Sequence, residues 1–233
     1  MVCRMITLFL CAMLFAGLHP ASAQESGFSV ALKGNLTTAS QLFPNPNSAD
    51  DFSRAQFFAI EDFFGYGIEV RYQIPETHLA AAVSADYIHA RLDRTIGSPP
   101  VPAKDGYRVI PVELTGYFII PVSGPTFGVY MGGGVGAYFG HRVYEVAGVE
   151  ARTTEPGQGF GIHVLGGVSY HINEWFGFHF EMKFRDLQFK TSNQFSTAST
   201  IYNNTFVMLP QGPFASRVHT DGVIFQIGTS VRF

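Results

Sequence analysis

Apolar side chains recur at every second position along most of this chain, which is the spacing of a strand with two unlike faces rather than of a helix. The clearest run is Phe176, Phe178, Phe180, Met182 and Phe184, interleaved with Gly177, His179, Glu181, Lys183 and Arg185. One face is wholly apolar and the other small or charged, whereas a helix would spread both classes around its circumference. The same alternation sets Tyr66, Ile68, Val70, Tyr72 and Ile74 against Gly65, Gly67, Glu69, Arg71 and Gln73, and Ile110, Val112, Leu114, Phe118 and Ile120 against Glu113, Thr115 and Tyr117. Val129, Met131, Val135, Ala137 and Phe139 alternate with glycines, Tyr130 and Tyr138. Ile162, Val164, Val168, Tyr170 and Ile172 oppose His163, Ser169 and His171, and Val223, Phe225, Ile227, Val231 and Phe233 oppose Gln226, Gly228, Ser230 and Arg232. Phe28, Val30 and Leu32 open a first strand, and Leu79, Val83 and Tyr87 mark a weaker third. Eight strands result.

The connections carry the topology. Pro75 to His78, Pro121 to Thr126 and Asn173 to Trp175 are short, while the stretches 36–62, 93–106, 143–158 and 189–220 read as long polar loops. Short and long alternate, so the tight turns share one end and the long loops the other. An even number of strands with that asymmetry describes an all-β fold, an eight-stranded antiparallel up-and-down transmembrane β-barrel. Face parity supports each hairpin: Val70 falls beside Val83, Glu113 opposite Gly134, and His179 opposite Ser169.

Composition decides which face meets lipid. Hydrophobic residues make up 46% of the 233 positions and charged residues 14%, with 23 phenylalanines; soluble domains carry roughly a quarter charged residues. Five consecutive large apolar positions on the seventh strand would be an aggregation hazard in water. The small-or-charged face suits an eight-stranded lumen, which is just wide enough for side chains. Facing inward would be Lys33, Arg71, Lys183 and Arg185 with Glu69, Asp86, Glu113 and Glu181, four cations against four anions. Charges in a low-dielectric lumen must be paired or cost several kcal/mol, so the expectation is a balanced network that plugs the bore. Tyr72, Phe118, Phe127, Tyr170, Trp175, Phe176 and Phe233 gather toward the short turns. Tyr87, Tyr107, Phe139, Phe160 and Phe184 stand toward the other end, as two interfacial girdles would. A net charge of -3 leaves no electrostatic footprint for nucleic acid.

The first residues read as a signal peptide, 1–23, ahead of a barrel domain, 24–233. Arg4 precedes the apolar run Met5 to Gly17, and Ala21-Ser22-Ala23 supplies a cleavage pattern before Gln24. The run is too short for a helical span of about 20 residues. Both cysteines, Cys3 and Cys11, lie in this segment, so the remainder can hold no disulfide or thiolate site.

The chain resembles the small outer-membrane β-barrel superfamily, of the outer membrane protein A and X kind, over residues 24–233. Its most specific piece is Val223 to Phe233, an amphipathic last strand closing on a terminal Phe. In such barrels Phe225, Ile227, Val231 and Phe233 would form the signal read by the barrel-assembly machinery. The run Tyr130-Met131-Gly132-Gly133-Gly134-Val135-Gly136-Ala137-Tyr138 is a less specific likeness. The resemblance implies the outer membrane of a Gram-negative bacterium with both termini periplasmic, and as partners outer-membrane lipid and lipopolysaccharide, with an extracellular partner reached through the loops.

Some barrels of the kind this chain resembles modify lipid A, which makes any nucleophile-like grouping relevant. Ser169, His171 and His179, with Glu181 as the nearest acid, form a nucleophile-like set, but they point into the lumen at the short-turn end, away from outer-leaflet lipid. His163, His171 and His179 are diagonal and interleaved with charges, not converging as zinc requires. Asn35-Leu36-Thr37 and Asn203-Asn204-Thr205 match a glycosylation pattern of no weight in a bacterium. The expectation is a non-enzymatic protein without cofactor or metal, its long loops serving envelope structure or surface interaction. The alternatives are a narrow channel for small or apolar solutes and a lipid A-modifying enzyme.

Overall fold

The computed structural model describes residues 27–233 apart from Pro99, Val122, Ser123, Pro125 and Asp221. The expected signal peptide lies outside the described residues. The long elements are β1 (Phe28–Phe43), a short helix α1 (Asp51–Ala55), β2 (Phe58–Gln73), β3 (Leu79–Ile96), β4 (Val101–Ile119) and β5 (Phe127–Val146). They are followed by the short β6 (Val149–Glu150) and β7 (Arg152–Glu155), then β8 (Gly157–His171), β9 (Phe176–Arg185) and β10 (Leu187–Gln194). A small hairpin, β11 (Ser199–Tyr202) and β12 (Thr205–Met208), precedes β13 (Phe214–Thr220) and β14 (Val223–Arg232).

Strands β1, β2, β3, β4, β5, β8, β9 and β14 pair antiparallel in that order, and β14 pairs back to β1, closing an eight-stranded ring. Beyond Asp186 the wall is continued by β10, which pairs with β13, and β13 pairs with the end of β1. The described ends meet on the rim of the short turns, where the Phe233 N–H donates to the Phe28 carbonyl at 2.9 Å.

Two hairpins carry the expected register: Val70 is opposite Val83, and Ser169 opposite His179. The third is shifted by two residues. Glu113 faces Gly136, not Gly134, because the turn closes on Ile120 and Val129. A shift of two preserves the faces. A larger correction concerns the loops. The strands climb far into the stretches read as loops, so β3 and β4 are joined by residues 97–100 alone and β5 runs to Val146. The remaining long connections are 44–57, carrying α1, and 195–213, carrying the β11–β12 hairpin.

The outer surface explains this height. On β4 the exposed apolar positions run from Phe118 to Ile110, eight residue steps of about 3.4 Å, or roughly 20 Å of height at a tilt near 40°. That is close to one apolar membrane band. Just past it the outward positions turn polar: Glu61, His89, Arg108, His141, Gln158, Gln188 and His219. Tyr107, expected in the upper girdle, instead points inward and is fully buried.

Candidate functional site: the filled interior

Strand β4 samples the interior from end to end, because its odd-numbered side chains all face the axis. Tyr117, Thr115, Glu113, Val109, Tyr107, Asp105, Ala103 and Val101 are each buried, and each marks a layer.

At the short-turn end Tyr117 and Tyr130 pack edge to face, 5.7 Å between centroids, with Ala80, Ala82 and Leu165 around them. Glycine makes room here. A Cβ at Gly167 would sit 2.8 Å from the Tyr130 ring, and one at Gly136 2.9 Å from the Tyr138 ring.

The first ionic group rests on that floor. Lys33 Nζ donates to Glu69 Oε2 at 2.5 Å and to Glu181 Oε2 at 2.8 Å. Arg71 spans the same two acids, donating through Nε to Glu69 Oε1 (2.9 Å) and through Nη2 to Glu181 Oε1 (3.0 Å). The tyrosine hydroxyls complete the acceptors, Tyr117 donating to Glu69 and Tyr130 to Glu181, both at 2.9 Å. The Arg71 guanidinium lies 3.9 Å from the Tyr117 ring centroid, a cation–π contact.

The second group stands above it. Glu113 accepts from Lys183 Nζ at 2.9 Å and from Arg185 at 2.5 and 3.1 Å, and Arg185 Nη2 also donates to Asp86 Oδ2 at 2.6 Å. His163 closes one side, its Nε2 2.9 Å from Thr115 Oγ1. All eight residues singled out from the sequence therefore lie in two groups, each of two cations and two anions. Neutral groups with every charge in a short hydrogen bond are the arrangement that keeps buried ions tolerable.

Above the ions the interior becomes apolar. Leu42, Ile60, Phe63, Ile88, Val109, Tyr107, Leu187, Phe189 and Val218 form one buried cluster. Sequence reasoning left this layer out: Leu42, Ile60, Phe189 and Val218 fall in stretches taken as loops, and the others carry apolar side chains on the face read as small or charged. A third ionic set follows, with Arg142 donating to Asp105 at 2.8 and 2.6 Å and to Ser216 at 2.7 Å, and Arg94 to Asp105 at 2.9 Å. At the top, Phe195 and Leu209 fold back onto Val101, Ala103, Val146 and Ala151. The signal that could have found these layers is the odd-numbered run Val101, Ala103, Tyr107 and Val109, apolar with the same period but on the opposite face from Ile110, Val112 and Leu114.

The nucleophile-like set is not assembled. Ser169 faces His179 in register but His179 Nε2 has no hydrogen-bond partner among the described residues, Glu181 is engaged by Lys33 and Arg71, and His171 Nε2 lies 3.4 Å from Arg232 Nη2. Among the described residues no three histidines, cysteines or carboxylates gather as a metal site. Phe225, Ile227 and Phe233 stand exposed on the outer face of β14, with Val231 partly covered.

A family model described as the outer membrane protein beta-barrel domain matches residues 7–210. Among solved structures, outer membrane protein OprG from Pseudomonas aeruginosa is similar with a TM-score of 0.61 and 15% identity, over 89% of this chain and 96% of that one. Neisserial surface protein A (NspA) is similar with a TM-score of 0.50 and 14% identity, over 89% of this chain and 98% of that one. At such identities the likeness concerns the fold. No curated protein matches the sequence.

Proposed function

Since the chain belongs to the outer membrane protein beta-barrel domain family and its setting is the Gram-negative outer membrane, we propose that it is a closed, non-enzymatic anchor that holds a surface for interaction above the membrane. The short-turn rim faces the periplasm and the tall strands rise into the external medium. The observation that carries the reading is the unbroken stack of buried side chains along β4, from Tyr117 through Glu113 and Tyr107 to Val101. Ions crossing such a bore would have to displace two salt-bridged layers and an apolar core. The interaction surface is the 195–213 connection. Its base is pinned by Phe195 and Leu209, while Ile201, Phe206 and Met208 on the β11–β12 hairpin stay 72%, 65% and 76% exposed.

Planar-bilayer recording of the purified protein tests the closed lumen. The expected trace is flat at moderate voltage. A steady ohmic step per inserted molecule would overturn the proposal in favour of a narrow channel.

A further inference from the structure

The upper edge of the lipid-facing surface carries three basic side chains in one row. In register across three strands, His89 on β3 is opposite Arg108 on β4, and Arg108 is opposite His141 on β5. All three are on the outer side. Laterally paired residues on one face stand about 5 Å apart, close enough for all three to reach one ligand. Nearby acids are engaged elsewhere, Asp93 by Arg91 one step higher at 2.9 Å and Glu145 by Lys104 at 2.7 Å. Arg108 has no ion-pair partner among the described residues.

Below this row, past the paired outward Ile110 and Phe139, the outer surface of the same β4–β5 pair is hollowed. A groove of about 600 Å³ runs over Gly136 and Ala137 between Val112, Leu114, Val135 and Phe160. It exists because Ala137 is small where neighbouring outward positions carry Phe139 and Ile110. Val112 lies four residues below Arg108, about 13 Å along the strand. That is the distance from a headgroup to the upper part of an acyl chain.

We infer that His89, Arg108 and His141, with the groove over Gly136 and Ala137, form a binding site for a phosphate-bearing, acylated lipid of the outer leaflet. The phosphate accepts charge-assisted hydrogen bonds from the Arg108 guanidinium and further hydrogen bonds from the flanking imidazole N–H groups. One acyl chain lies along Val112, Val135 and Phe160. This inference rests on the membrane reading above and deepens it by naming one lipid chemistry and one place.

Native mass spectrometry of the full chain in detergent micelles tests it, with diphosphorylated lipid A, its dephosphorylated form and inorganic phosphate as probes. The wild type should retain the diphosphorylated lipid preferentially. R108Q should weaken that binding at least tenfold and leave the dephosphorylated form unchanged. A137W, which fills the groove, should weaken both, and R152Q on β7 should change neither. Equal retention of both lipids by the wild type, or displacement of the lipid by an equimolar amount of inorganic phosphate, would overturn the site. A gel shift on heating distinguishes the two failures. A protein that migrates as a folded barrel yet shows no lipid preference loses only this site, whereas one that stays monodisperse without detergent loses the membrane reading and the site with it.

Discussion

Replacing Glu113 by Gln removes the acid shared by Lys183 and Arg185 while keeping its shape. The wild-type upper ionic group holds two cations and two anions; after the change two cations face Asp86 alone, and Lys183 loses its salt-bridge partner. Breaking one side of a buried pair typically costs about 3–5 kcal/mol, because the orphaned charge stays buried. That corresponds to roughly two to four decades in the folding equilibrium. K183M alone should cost less, about 2 kcal/mol, since Glu113 keeps Arg185. The informative variant is E113Q/K183M, which restores neutrality by leaving Arg185 with Asp86. If the group acts as a charge-balanced unit, the double variant is more stable than E113Q alone, with a coupling energy of about 2 kcal/mol or more. Urea unfolding in micelles can be followed by the fluorescence of Trp175, the single tryptophan of the chain, and by the heat-dependent gel shift. Additive losses in the double variant, or an E113Q cost under about 1 kcal/mol, would refute the reasoning, for the ions would then be solvated rather than mutually dependent.

Other consequences follow from single positions. Gly136→Val should destabilise the barrel by about 1–3 kcal/mol in the same urea assay, since the new side chain meets the Tyr138 ring and Glu113. Phe233→Ala should lower the amount of protein recovered in the outer-membrane fraction while purified, refolded protein keeps its heat-modifiable migration, as expected of an assembly signal. Deleting 199–208 should leave the barrel folded and the bilayer trace flat, because the two lower ionic groups and the apolar core close the bore without the hairpin. The Asp50 carboxylate caps α1 and is held below the usual range by hydrogen bonds from the Ser53 side chain and backbone. Its contribution is present above the carboxylate's ordinary pKa and lost as pH falls through the depressed one, so the protection factor of the Ser53 amide, relative to its intrinsic exchange rate, should fall in acid and in Asp50→Ala at neutral pH.

The membrane-embedded half of the molecule was legible because lipid enforces a strict rule. Outward positions such as Phe178, Phe180 and Met182 must be apolar, so the remaining positions announce themselves as interior, and Lys33, Glu69, Glu113 and Arg185 could be placed by parity alone. Pairings within the interior were not legible, since which acid meets which base depends on strand stagger around the ring. The two-residue error at Glu113 arose the same way, from a turn whose closing pair could not be read. The upper half was missed for a different reason. Leu187 and Phe189 continue the odd-numbered inward series of β9, but there they are apolar and their outward neighbours Asp186, Gln188 and Lys190 are polar. A rule of apolar-out, polar-in ends the strand where the structure only changes its surroundings.

That exchange of faces is what a barrel taller than its membrane must do. Within lipid the exterior is apolar and the bore can hold charge. Above lipid the exterior meets water, so the same wall needs an ordinary hydrophobic interior to stay closed. On β4 the exchange occurs between Ile110 and Arg108 on the outside and between Glu113 and Val109 on the inside, with no break in the strand. On β2 parity alone would have turned Ile60 outward and Glu61 inward. Asp62 takes a left-handed backbone, φ 50°, and there the strand turns over so that Ile60 enters the core and Glu61 leaves it, while the register with β1 is kept on both sides. A residue at positive φ other than glycine is a cost, and here it is offset by one buried isoleucine and one solvated carboxylate. The level of the exchange also marks the end of the apolar band farther from the short turns, with Arg108, His89 and His141 standing on that line. The basic row and the groove below it therefore lie where a phosphorylated lipid changes from headgroup to hydrocarbon.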